Sequence, residues 1–171
     1  MVRFLLFLLC SAAAVAQSSL RIDVDLVNVV DDMVKVRVTP LNITSSNFRY
    51  VFPRSVPGTY SKDDYGRFIM NASAYDVNGK ELSVSRDDHD IVVSTMPAYL
   101  EYWVRDSWDD KEFTDVFNPS GTNIEKDTNY VLNNHAFFGY IDGYKNVPYT
   151  ITVHKPRTRA STIFSRAKGL W

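Results

Sequence analysis

Cysteine is almost missing from this chain. The 171 residues hold one, Cys10, so no disulfide framework and no cysteine-ligated metal centre forms within one copy. Histidine is nearly as scarce, with His89, His135 and His154 the three present. None lies in an H-E-x-x-H pattern or four residues from another, so no local zinc-binding pair exists. The seven glycines form neither a phosphate-cradling loop nor a G-x-S-x-G nucleophile elbow. A basic stripe is also lacking. The 19 basic and 20 acidic residues are well mixed and give a net charge of −1, which argues against a nucleic-acid partner.

Long apolar runs are confined to the start. "MVRFLLFLLCSAAAVAQ" carries one early positive charge, Arg3, then an apolar run from Phe4 to Cys10, then small residues. Ala14-Val15-Ala16 fits a signal-peptidase site, so residues 1–16 are expected to be a signal peptide and Gln17 the first mature residue. The run is shorter than the roughly 20 residues of a membrane span, so no span is expected after cleavage. The mature chain, free of cysteine, suits export to the periplasm or the cell exterior of a bacterium. From Gln17 onward the length is that of one domain.

What remains is strand patterning. "LRIDVDLVNV" alternates Leu20, Ile22, Val24 and Leu26 with polar residues, and "MVKVRVTP" alternates Val34, Val36 and Val38 with Lys35 and Arg37. Period-two alternation marks half-buried strands. Asp31-Asp32 reads as the turn of a hairpin, ended by Pro40. "NFRYVF" sets Phe48, Tyr50 and Phe52 on one face. "ASAYDVNGKELSVSR" gives two strands around Asn78-Gly79, a strong hairpin signal. "DIVVSTM", "YLEYWVRDSW" and "VPYTITVHKP" read as three more strands. No helix of ten residues is expected after residue 16. The predicted fold is all-β, an antiparallel sandwich or saddle-like sheet spanning 17–156. The tail 157–171 has no evident partner strand and reads as the start of something cut off.

Between Asp106 and Thr128 the alternation fades into a polar, acidic, turn-rich stretch. A loop of that length is functional or covers neighbouring structure. Its acids Asp106, Asp109, Asp110, Glu112 and Asp115 are oxygen ligands of the kind calcium takes, but lack a calcium loop's spacing. A solvated acidic loop is the simpler expectation. Ser120-Gly121 reads as a turn, His135 as a packed histidine and His154 as an outward strand residue. Aromatics make up 13% of the chain. Trp103 and Trp108, flanking the start of the loop, are the candidates for an exposed recognition surface, for glycan or protein. The residues alone thus describe an exported β domain without a self-contained active site.

One stretch says more. "VPGTYSKDDYGRFI" (Val56 to Ile69) resembles the P-G-S-Y-x-x-R-D-F-A-R-x-I segment of the glycyl aminopeptidase family of zinc metallopeptidases, peptidase family sixty-one of the metallo class. Pro57, Gly58, Tyr60, Asp64, Arg67 and Ile69 match. Thr59 stands for the serine and Tyr65 for the phenylalanine, while Asp63 reverses the charge of the family's first arginine. "ASAYDVNGKEL", "YLEYWVRD" and "YVLNNHAFFGYIDGYKNVPYTITVHKP" resemble later family segments in the right order.

The resemblance implies an N-terminal β domain that precedes a catalytic domain, where H-E-x-x-H and a downstream glutamate hold zinc. The sequence contains no H-E-x-x-H. The expectation is a domain with no catalytic residue and no metal or cofactor of its own. Zinc and the main partner, the catalytic domain, would belong to the rest of an intact enzyme, of which this chain is a fragment or truncated product. The alternative is a stand-alone exported binding module. In the motif loop, Pro53 and Pro57 are expected to stop strand pairing and Gly58 to allow a turn. Tyr60, Tyr65 and Phe68 would pack on the sheet, and Asp64 and Arg67 would pair across one turn.

Overall fold

The computed structural model describes residues 17–58, 62–108, 110–113 and 115–155, and the backbone of 161–164. Thirteen strands are described: β1 (Ser19–Val30), β2 (Met33–Leu41), β3 (Phe48–Val51), β4 (Ile69–Tyr75), β5 (Glu81–Leu82), β6 (Val84–Asp87), β7 (Asp90–Val93), β8 (Tyr99–Arg105), β9 (Asn123–Glu125), β10 (Asn129–Leu132), β11 (Tyr140–Ile141), β12 (Tyr149–His154) and β13 (Ser161–Phe164). The longest α-helical piece among the described residues is a single turn, α1 (Asn134–Phe137). The all-β expectation therefore holds.

The first hairpin forms where the alternation places it. Leu20, Ile22, Val24 and Leu26 of β1 and Val34, Val36 and Val38 of β2 are buried, while their polar neighbours face outward. Asp31 and Asp32 both adopt positive φ, 49° and 52°, the conformation that a tight two-residue hairpin turn requires. Pro40 does not end β2, which runs on to Leu41. It pairs with Leu20 on the β1 side, beyond the β2–β8 pairing that stops at Val38↔Leu100. On its other side Pro40 thus has no ladder to spoil.

Six strands make the main sheet in the order β12-β1-β2-β8-β4-β5. Its inner face packs on two smaller sheets, β11-β3-β7-β6 and β13-β10-β9. The stretch "ELSVSR" is not one strand. Glu81-Leu82 pairs with β4 in the main sheet, and Val84–Asp87 pairs with β7 in the second, so the chain changes layer at Ser83. Most pairings are antiparallel, but β12 runs parallel to β1 and β13 parallel to β10. The β13 pairing corrects the expectation that the tail has no partner strand.

Aromatic rings join the layers. Phe48, Tyr50 and Phe52 all point into the core as predicted. Tyr50 lies 5.3 Å from Phe52 and 6.0 Å from Tyr102, centroid to centroid. Each buried hydroxyl has a backbone partner, which buried polar groups require. Tyr102 donates to the Phe137 carbonyl at 2.7 Å, and the Gly139 amide donates to Tyr50 Oη at 3.0 Å. Burial holds both phenols far above their ordinary pKa, so they stay neutral donors at any working pH.

Candidate functional site

The loop after β3 is built from the turn chemistry of its sequence. Gly58 adopts φ +95°, as expected of a glycine in a turn. The Asp64 amide returns to the Arg54 carbonyl at 2.9 Å and the Tyr65 amide to that of Pro53 at 3.0 Å. Asp64 itself sits at φ 52°, and a 3-10 turn then runs over Tyr65–Phe68 and delivers the chain into β4. Pro57 and Gly58 are exposed, whereas Tyr65, Phe68 and Ile69 are buried. Thr59 and Tyr60 lie outside the described residues, so the expected packing of Tyr60 is not among the structural findings.

Three partners converge on this loop. The first is the β6–β7 turn. Nδ1 of His89 donates to Asp64 Oδ2 at 2.7 Å, and Arg86 Nη2 donates to the Gly66 carbonyl at 2.8 Å. Gly66 has to be glycine. A Cβ there would lie 2.7 Å from His89 Cβ and 2.8 Å from the His89 carbonyl oxygen. Ligand atoms of Asp64, Asp88 and His89 lie within 4.8 Å of one another, a spacing that a cation could span. Arg54 bonds both of these carboxylates and already supplies the positive charge there. Its bond to Asp88 draws that carboxyl below the usual range. The cluster works as an ion-paired clasp on the loop.

The second partner is the long acidic loop. Phe68 meets Phe113 edge to face at 4.9 Å. Arg67 Nη1 donates to Asp115 Oδ2 at 3.0 Å. The expected Asp64–Arg67 side-chain pair does not form: the 3-10 turn aims Asp64 at His89 and Arg54, and Arg67 at Asp115. Only the Arg67 amide meets Asp64, at its carbonyl.

The third partner is α1 with the segment before it. Asp63, 1% exposed, accepts hydrogen bonds from Tyr65 Oη at 2.8 Å and Ser120 Oγ at 3.0 Å. His135 packs edge to face on Tyr65 at 4.6 Å, with Nε2 2.7 Å from the Ser120 carbonyl. A carbonyl only accepts, so Nε2 carries the proton. Burial is the main influence on this imidazole and lowers its pKa below the ordinary 6.5. The folded state therefore takes up the second proton, on Nδ1, less readily than the unfolded chain does. Its contribution to stability is complete above about pH 6.5 and declines as the pH falls through the folded pKa. Urea midpoints at about pH 5 and pH 7.5 should show part of the acid loss vanishing in His135→Phe; an unchanged pH slope would refute this role.

Ser120 read as a bare turn in the sequence, yet it closes this buried hydroxyl network. Asp63 was legible only as a charge reversal. Neither arrangement is a nucleophile and base, because His135 meets the Ser120 carbonyl while Ser120 Oγ is engaged with Asp63, Tyr65 and the Phe117 carbonyl.

The acidic loop is less solvated than expected. Asp106 is buried and accepts the amides of Trp108, at 2.6 Å, and Ile124. Asp110 pairs with Arg105. Glu112 and Asp115 are exposed at the surface ends of ion pairs, and Asp109 lies outside the described residues. Of the two recognition candidates, Trp108 is 41% exposed. Trp103 is half-buried on the outer face of β8, with the Lys35 ammonium 5.8 Å from its ring centre. The two stand five positions apart, Trp103 on a strand and Trp108 on the loop that follows. His154 is exposed as expected and meets Asp23 at 3.1 Å.

A family model, the peptidase M61 N-terminal domain, matches residues 21–169. The chain belongs to this family. An M61 N-terminal domain is thus the unit that the loop at 56–69 marks, and the match extends through β13. Among solved structures, a crystal structure of an aminopeptidase N family protein from Idiomarina loihiensis is similar, with a TM-score of 0.65 and 18% identity. The alignment covers 81% of this M61 domain chain and 22% of that protein, so the likeness is one of fold over about a fifth of the neighbour's length. No curated protein matches.

Proposed function

We propose that this chain is the non-catalytic N-terminal β domain of an exported zinc aminopeptidase. In this reading it braces a catalytic domain and helps bound the peptide site. The observation that carries the reading is the family match over 21–169, a span that includes the loop tying three parts of the domain together. The absence of H-E-x-x-H from the sequence supports a domain that does no zinc chemistry itself. Residues 1–16 would direct export and be removed, placing a chain that begins at Gln17 in the periplasm or outside the cell.

The test has two arms. The purified chain should not hydrolyse glycyl or alanyl anilides, with or without zinc. It should bind a separately produced M61 catalytic domain and raise that domain's melting temperature. Zinc-dependent, chelator-sensitive hydrolysis by the chain alone would overturn the non-catalytic part. Failure to associate with the catalytic domain would overturn the bracing part.

A further inference from the structure

Among the described motif residues, Asp64 and Arg67 keep buried side-chain atoms without a hydrogen-bond partner, and the donors among them belong to Arg67. Its side chain is 18% exposed and its guanidinium carbon lies 5.0 Å from the Phe68 ring centre and 5.2 Å from that of Phe113. Nη1 meets Asp115, which is itself 69% exposed. Nε and Nη2 are buried and have no hydrogen-bond partner among the described residues. These two atoms share one edge of the guanidinium, the edge whose parallel N–H groups match the two oxygens of a carboxylate. Unpaired buried donors of a charged group are costly, and here a complete fork is left open. Phe113, half-buried, stacks its ring on the guanidinium, on a loop that also carries the exposed rings of Trp108 and Phe117.

We propose that the Nε/Nη2 edge of Arg67 is a carboxylate-binding fork, reached when the Phe113 ring turns aside. The ligand class is a single carboxylate, from an acidic side chain or a peptide terminus. Asp115 stays on Nη1, so the incoming group adds a second carboxylate to the same cation. Asp115→Asn should therefore tighten binding, and loss of the fork should abolish it. Lysine keeps the charge but cannot present two fixed N–H groups.

The test uses the full chain labelled with nitrogen-15 and follows the Arg67 Nε–H and Trp108 indole signals. Propionate, the side-chain mimic, and N-acetylglycine, the terminus mimic, are titrated at constant ionic strength. Expected are saturable shifts with at least one of them, about tenfold weaker or lost in Arg67→Lys and stronger in Asp115→Asn. The tighter of the two acids identifies the source. No saturable shift in the wild type, or an equal shift in Arg67→Lys, would overturn the proposal. A second variant guards against a folding artefact. Arg67→Met removes the open fork and should melt at or above the wild-type temperature; a fall as large as that of a core truncation would show that the edge is already satisfied, and would also overturn it.

Discussion

Gly139→Ala should cost this domain about 3 kcal/mol or more, among the largest losses from any single methyl group. Gly139 lies between α1 and β11, where the chain presses on β3. A Cβ there would fall inside the contact surface of the Val51 carbonyl oxygen and 2.9 Å from Tyr50 Cε1. Neither neighbour can yield cheaply. Val51 is held in register opposite Tyr140, and Tyr50 is fully buried among Phe52 and Tyr102. The backbone of Gly139 is fixed at both ends as well. Its amide donates to Tyr50 Oη, and its carbonyl accepts from Tyr149 Oη at 2.9 Å. Moving it would break two bonds that link all three of β3, β11 and β12. Urea unfolding should show a lower midpoint at unchanged slope. A midpoint within error of wild type would mean that β11 is not pressed on β3 as described.

Asp106→Ala should be nearly as damaging, for a polar reason. The carboxylate accepts the backbone amides of Trp108 and Ile124, and the residue's own amide donates to Asp32 at 3.0 Å. It therefore anchors the start of the acidic loop to β9. Truncation leaves the buried Ile124 amide and the partly buried Trp108 amide without this acceptor, for a loss of about 3 kcal/mol. Asp106→Asn keeps one acceptor oxygen and should fall between the two. The discriminating measurement is hydrogen exchange: the Ile124 amide should lose protection in Asp106→Ala while β1 and β2 keep theirs. Equal loss everywhere would point to global unfolding and sink the anchor role.

The sequence shows the strands because their information is local. Alternation in β1, β2 and β8 follows from one face being buried, and Asn78-Gly79 and Asp31-Asp32 carry their own turn geometry. What it conceals is long-range. Ser83, where the chain changes sheets, looks like any strand residue. Asp64 and Arg67 are near enough in sequence to suggest a pair, but a 3-10 turn points them at partners 25 and 48 positions away. Ser120 looked like turn filler because Asp63 and Tyr65, which it meets, lie more than fifty positions earlier. Asp106 looked solvated because acid in a polar loop is usually exposed; the amides of Trp108 and Ile124, distant or hidden in the sequence pattern, make an inward carboxylate favourable. The motif loop is a different matter. Its prolines, glycine and aromatics mark it as a structured corner, and the structure makes it the meeting point of the clasp, the acidic loop and α1.

The parallel pairing of β12 with β1 sets the order in which this domain becomes complete. β1 enters the chain first, but its outer edge is closed only by Tyr149–His154. Until those residues join, β1 offers a row of unpaired amides and carbonyls, the kind of edge that recruits other chains. The β1–β2 hairpin is local and forms early, whereas the closing contact spans most of the sequence and must wait on loop closure. The domain is thus most exposed to aggregation late in its synthesis, when nearly all of it has been made and its oldest strand is still open.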